Sequence, residues 1–370
     1  MNHVNNVPLL GVIDPLNEEL GELKLAGVNA AVLPVRWSQL ETGPNQIDLA
    51  YLSEVINRHE AMLASGIKVI IDPGFQYVPD HIFDIPDSRF VNQDGEIWRA
   101  GPGENIVDPV FNPAVRAAYA THLNRLGRIF EDREIYAVRV GGLIRGELGY
   151  PVGKTPGRYW MYSEAAKASM PVPNWRPGTG STVEARFMLD HYLDSLTKYS
   201  EWLVNGISDA FPQAYQYQVL LPSWGVRPGA LEEQINQLGQ PTISESGRRG
   251  IEAGLDWART IPALANNPKV AFSSTWADAA SQGSGAQYQA PMLYIASLSR
   301  PYGSALLGEN TGKGTPAELR ATTSALQGVN AETLIWMRAS NLGLPGQVSA
   351  TDLGVAFGEM NRESTGTSPP

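Results

Sequence analysis

The chain has no cysteine among its 370 residues. Disulfide bridges, thiolate zinc sites and a cysteine nucleophile are therefore excluded together. Histidine is scarce as well. His3, His59, His81, His122 and His191 are scattered without the spacing of a metal site, and each reads as an ordinary surface or core residue. Basic residues number 28 against 38 acidic ones, a formal charge of -10. With no basic excess to neutralise phosphates, nucleic acid and anionic membrane surfaces are poor partners, and neutral or cationic small ligands fit better. No apolar run is long enough to span a bilayer, and the start, Met-Asn-His-Val-Asn-Asn-Val-Pro, lacks the pattern of a secretory leader. The expectation is a cytoplasmic protein, or a secreted one if a leader has been removed. A phosphate cradle is also missing: Gly11-Val-Ile-Asp14-Pro-Leu is not the Gly-rich turn of a doubly wound nucleotide-binding sheet. No lysine ends a predicted strand, which disfavours phosphate-dependent aldolase or isomerase barrels.

What is present is a globular composition, 43% hydrophobic and 18% charged. The length suits one decorated barrel about as well as two ordinary domains, so the pattern along the chain must decide. Short apolar runs alternate with helix-period segments. The runs are 7–14, 30–37, 68–75, 136–143, 215–222, 269–275, 304–308 and 333–338, with 242–244 a competitor for the sixth. Leu49 to Ala64, Pro113 to Phe130 and Val183 to Phe211 read as helices between them. Eight strands alternating with helices predict a single α/β domain, a (β/α)8 TIM barrel over residues 1–361, with a doubly wound sheet as the alternative. The polar tail 362–370 is expected to be disordered. Two long stretches rich in proline and glycine, 76–112 and 149–182, follow the ends of the third and fourth strands, and long loops there usually carry function.

In such a barrel the strand ends converge. Asp14, Arg36, Trp37, Asp72, Glu147, Trp224, Trp276, Asp278, Glu309, Asn310, Trp336 and Arg338 lie at or near them, with Tyr150 in the fourth loop. Carboxylates and aromatics dominate. Glycosidic cleavage needs one carboxyl to protonate the leaving oxygen and a second to act on the anomeric carbon or its water, while aromatic faces stack on sugars. Glu147 follows a strand by a short turn and precedes Leu-Gly-Tyr-Pro. Glu309 directly ends an apolar strand, and Asp278 competes with it for the second role. The plainer alternatives are a surface-loop glutamate or a partner for Arg145 at Glu147, an N-cap or a buried ion pair with Arg36 or Arg338 at Glu309, and a helix cap at Asp278. Arg36, Trp37, Asp72, Tyr150, Trp224, Trp276, Asn310 and Trp336 are the candidate substrate contacts. No cofactor and no metal is expected.

Val35-Arg-Trp-Ser-Gln-Leu-Glu41, Asp48-Leu-Ala-Tyr-Leu and Gly66-Ile-Lys-Val-Ile-Ile-Asp72-Pro resemble the second and third barrel repeats of clan A glycoside hydrolases, including family 42 β-galactosidases. That resemblance implies an acid/base glutamate after the fourth strand and a nucleophilic glutamate ending the seventh, Glu147 and Glu309 here. Gly146 stands where the clan usually has asparagine. The segment Gly142-Leu-Ile-Arg-Gly-Glu-Leu-Gly-Tyr-Pro151 is also similar to the stretch around the catalytic acid of β-amylases, and Trp336-Met-Arg-Ala-Ser resembles their last strand. The amylase resemblance gives Glu147 the same role and implies an inverting enzyme with Asp278 in place of the base, although 75–80 departs from the amylase flexible-loop motif. Either resemblance implies an oligo- or polysaccharide or glycoside as substrate. A noncatalytic carbohydrate-binding barrel is the alternative from another class, and the oligomeric state is left open.

Overall fold

The computed structural model describes residues 8–101, 103–240 and 245–364. Eight strands, all parallel, close into a barrel: β1 Leu9–Ile13, β2 Ala30–Pro34, β3 Lys68–Asp72, β4 Ala137–Val140, β5 Gln216–Leu221, β6 Val270–Ser274, β7 Ala305–Glu309 and β8 Thr333–Trp336. They fall within the eight apolar runs, apart from Glu309, which extends the seventh by one residue. The competitor 242–244 lies outside the described residues. Each strand except β7 stops earlier than its apolar run, because the last residues of the run leave the ladder to shape the mouth of the barrel.

Of the twelve α-helices among the described residues, eight form the outer layer, one after each strand: α1 Leu20–Leu25, α2 Leu49–Ala64, α3 Pro113–Ile129, α4 Thr182–Ala210, α5 Trp257–Leu264, α6 Pro291–Ser299, α7 Pro316–Val329 and α8 Ala350–Ser364; the other four, Trp37–Leu40, Glu164–Lys167, Ala230–Asn236 and Glu245–Glu252, are short and lie in the loops. Their starts are written in the sequence. The Asp48 carboxylate accepts from Ala50 N and Tyr51 N to cap α2, Asn112 does the same for α3 ahead of Pro113, and Ser181 forms a capping box with Glu184 on α4. Helix α8 continues to Ser364, so residues 362–364 of the expected disordered tail are helical. The remainder, 365–370, lies outside the described residues.

Strand pleating sends alternate residues inward and outward. Leu10, Val12, Leu334 and Trp336 face outward into a core shared with the helices, whereas Leu9, Ala30, Val32, Ile70, Ala137 and Ile335 fill the lower interior of the barrel. Above that apolar floor the interior turns polar. Gln218 donates to the Gln216 side chain at 3.0 Å, and Arg139, beside Gln218 in the β4/β5 register, reaches across to Glu309.

Candidate active site

Glu147 owes its position to glycines. After Val140 the chain folds back on itself so tightly that a Cβ on Gly141 would stand 2.2 Å from the Gly146 carbonyl oxygen. Only glycine permits that approach. Gly142 N donates to the Gly146 carbonyl at 3.2 Å and Leu143 N to the Glu147 carbonyl at 3.1 Å, closing the turn. From beneath, the hydroxyls of Tyr119 and Tyr199 donate to the carbonyls of Gly142 and Gly141 at 3.2 and 3.3 Å. The loop 76–112 braces it from the side: Arg145 N donates to the Gly103 carbonyl at 2.8 Å, and the Arg145 guanidinium pairs with Glu104. The plainer pairing of Glu147 with Arg145 does not form, since Glu104 takes the arginine.

The carboxyl of Glu147 opens on a cavity of about 310 Å³ at the carboxyl-terminal end of the barrel, lined also by Trp98, Tyr150, Pro222, Ser223 and Trp276. Burial in this apolar wall pushes Glu147 up to about 7 from 4.5. The nearby charge of Glu309 adds to the rise. Thr275, Arg139 and Arg145 oppose it, although the Thr275 hydroxyl lacks a hydrogen bond of ordinary geometry.

Glu309, at the end of β7, is 2% exposed. Its Oε2 accepts from the Arg139 guanidinium at 2.6 Å. Burial raises its carboxyl above the ordinary value; Arg139 counters this, the charge of Asp72 reinforces it, and Arg338 opposes it. The ion pair expected with Arg36 or Arg338 is thus made by Arg139 instead. Arg36 is turned to the Asp14 carboxylate at 2.9 Å, which Arg58 shares at 2.6 Å. Asp72 stands by the same centre, accepting from Gly74 N at 2.9 Å and Gln76 Nε2 at 3.0 Å.

Several candidate sugar contacts are placed elsewhere. Trp37 is 1% exposed, stacked on His122 at 4.7 Å with its Nε1 donating to Glu41, because the chain after β2 turns into a short helix that buries the ring. Trp336 faces outward into the helix layer and is fully buried, so it is core and not a cavity wall. Asn310 is buried too, its amide accepting from Met337 N and donating to Met337 O, which ties β7 to β8. Asp278 spends both oxygens on Thr311, one on its N–H at 2.8 Å and one on its hydroxyl at 2.9 Å. Both oxygens therefore already accept, and no helix starts at Asp278, which corrects the helix-cap reading. Tyr150 lines the cavity through its ring, while its hydroxyl donates to the Tyr192 carbonyl at 3.0 Å. Trp276 lines it as expected; Trp224 instead lies over the Arg227 guanidinium, 5.5 Å away.

Arg139 and Trp98 are the residues that the sequence reading missed. The signal for Arg139 was a charge inside the apolar run Ala137-Val-Arg-Val140; Trp98 sits in a loop without periodicity, its ring against Trp160 at 5.2 Å and its Nε1 donating to the Glu104 carbonyl at 2.7 Å. Among the described residues no group of three or more His, Asp or Glu side chains is arranged to hold a metal ion, and no helix is long and apolar enough to cross a membrane.

Comparison with solved structures places the architecture. The chain superposes on the catalytic domain of β-amylase from Paenibacillus polymyxa with a TM-score of 0.69 at 16% identity, over 98% of this chain and 99% of that one. The fold is a (β/α)8 barrel. A β-galactosidase from the psychrophilic Marinomonas ef1 matches at 0.67 with 12% identity over 97% of this chain, which spans 61% of that longer protein. An endo-β-1,4-mannanase from Thermotoga petrophila matches at 0.55 with 8% identity, over 99% and 79% of the two chains. No family model and no curated protein matches the chain. Within this barrel Glu309 ends the seventh strand and Glu147 follows the fourth after a short turn, both on the face where such barrels assemble their chemistry.

Proposed function

We propose that the protein is a glycosidase that cleaves O-glycosidic bonds, with Glu147 as acid/base and Glu309 as nucleophile. The observation that carries this reading is Glu147 itself. A carboxyl in the wall of an aromatic-lined cavity, pushed up to about 7, holds its proton at neutral pH and can give it to a leaving oxygen. In the first step Glu147 protonates the glycosidic oxygen, the bond from that oxygen to the anomeric carbon breaks, and Glu309 bonds to the carbon. In the second, Glu147 as carboxylate takes a proton from water, the water oxygen bonds to the anomeric carbon, and Glu309 is released. Arg139 holds Oε2 of Glu309 and favours its charged form. Trp98 and Trp276 offer faces for the sugar rings.

The test is hydrolysis of an aryl-glycoside panel and of malto-, galacto- and manno-oligosaccharides, with product stereochemistry read by NMR. Retention is expected. Glu147→Gln should lose far more activity on poor leaving groups than on dinitrophenyl glycosides, which need little protonation; Glu309→Gln should lose both. Full activity in both variants on every sugar the wild type cleaves would sink the assignment. The superposition on a β-amylase catalytic domain supports one second reading, an inverting enzyme with Asp278 as the base, and inverted product would select it.

A further inference from the structure

The end of the barrel opposite Glu147 carries a groove that the proposed chemistry does not use. Two cavities, of about 290 and 470 Å³, meet there and share Gln216, Gly303, Ser304 and Ala305. They run across the amino-terminal ends of β4 to β8. Tyr302 and Tyr215 stand on its wall, 47% and 45% exposed, and Tyr136 lies against Tyr215 with ring centroids 5.2 Å apart. Tyr302 and Tyr215 thus present two aromatic rings to the groove, while the Tyr136 ring is covered by Tyr215 and by the Lys68 amine 4.7 Å from its centroid.

The polar lining is neutral in character: the amides of Gln216, Asn266, Asn267 and Asn330, and the hydroxyl of Ser304. Charges are few and mixed. The Lys269 amine is already spent on the carbonyls of Pro212 and Ala214, both at 2.8 Å, and Arg300 is offset by Glu332 along the same lining. A nucleic acid or an anionic headgroup would find no basic cluster to neutralise it. Aromatic faces interleaved with amides and hydroxyls match one ligand chemistry well: a neutral oligosaccharide, whose C–H faces stack and whose hydroxyls both donate and accept.

We propose that this groove is a second carbohydrate-binding site, which holds a neutral oligosaccharide on Tyr302 and Tyr215 remote from the catalytic mouth. The site rests on the glycosidase reading only for its biological use; its binding chemistry stands on its own lining. Engagement of a polymer at both ends would raise the local concentration of chain ends or branches at Glu147 without any new contact there.

The experiment uses the full chain carrying Glu147→Gln, so that bound sugar persists, and titrates maltoheptaose, galactotetraose and mannohexaose by calorimetry and ligand-observed NMR. Tyr302→Ala and Tyr215→Ser should each weaken binding of at least one of these probes roughly tenfold, the scale of losing one stacking face. Ser304→Trp, which fills the groove from its centre, should abolish that component and provides the check if a tyrosine variant is unstable. In the otherwise wild-type chain, all three should leave aryl-glycoside turnover unchanged. If some probe binds but only Trp98→Ala or Trp276→Ala weakens it, the groove proposal is overturned and the active-site reading survives. If the groove variants weaken binding but the wild type hydrolyses no glycoside, the groove stands and the glycosidase reading falls. Absence of binding by any of the three sugars, or displacement only by peptides, overturns the groove.

Discussion

Glu147 should make the folded protein less stable as pH rises, and its replacement by glutamine should remove that dependence. Burial and the Glu309 charge push this carboxyl from 4.5 up to about 7. Between those values the folded chain binds more protons than the unfolded one, so stability falls across that window and is constant on either side. At about 1.4 kcal/mol per pKa unit the full loss is about 3 kcal/mol, an upper limit. Because the carboxyl meets water in its cavity, about half of that is the expected effect. The assay is urea denaturation of wild type and Glu147→Gln at half-unit steps from pH 4 to 9. Titrating groups that do not interact with Glu147 cancel in the difference between the two curves. That difference should be near its minimum at pH 4, climb in favour of the variant from about 4.5, and level off above about 7. A flat difference, or one that grows on acidification, would refute the idea that desolvation sets the proton affinity of this group. The same variant should lose catalysis, so a residue that lowers stability at neutral pH is also the one on which the proposed chemistry depends.

Asp108 offers an independent case of the same physics. Its Oδ1 accepts from Val110 N and Phe111 N, its Oδ2 has no partner, and burial pushes it up to about 7. Asp108→Asn should stabilise the fold above pH 7 and give no gain below pH 4, measured by the same titration. Glu309→Ala should cost about 3–5 kcal/mol by stranding the Arg139 guanidinium, and pairing it with Arg139→Met should recover much of the loss in thermal melts. Trp276→Ala and Trp98→Ala should each raise KM roughly tenfold with a smaller change in kcat, as expected for lost ring stacking, checked by steady-state kinetics on an aryl glycoside.

The barrel was legible because parallel strands buried on both faces leave continuous apolar runs, and even Lys269 to Thr275, the weakest of the eight, contains β6 at Val270–Ser274. Strand ends were less so. The residues Gly141 to Leu143 look like more strand, yet the glycines turn the chain back and build the cradle of Glu147. At the site, residue type was visible and facing was not. Trp276 and Trp336 both follow or end apolar strands, but the pleat sends Trp336 outward to the helices while Trp276 lines the cavity. Likewise, an arginine within β4 carries no mark in sequence that says whether it meets water or crosses the barrel to Glu309. Long-range pairing of that kind depends on closure of the sheet, which brings positions 139 and 309 within one hydrogen bond.

The amide of Asn310 grips the peptide of Met337 by both its N–H and its carbonyl. The tops of β7 and β8 are thereby stapled into one rigid corner, with Glu309 immediately before the staple and Arg338 immediately after it. A designer who wished to transplant or diversify the loop beyond β8 could not treat it as a detachable tip: any shift would be levered into the carboxylate at Glu309. The practical unit of recombination at this edge is the cassette 305–338, exchanged whole.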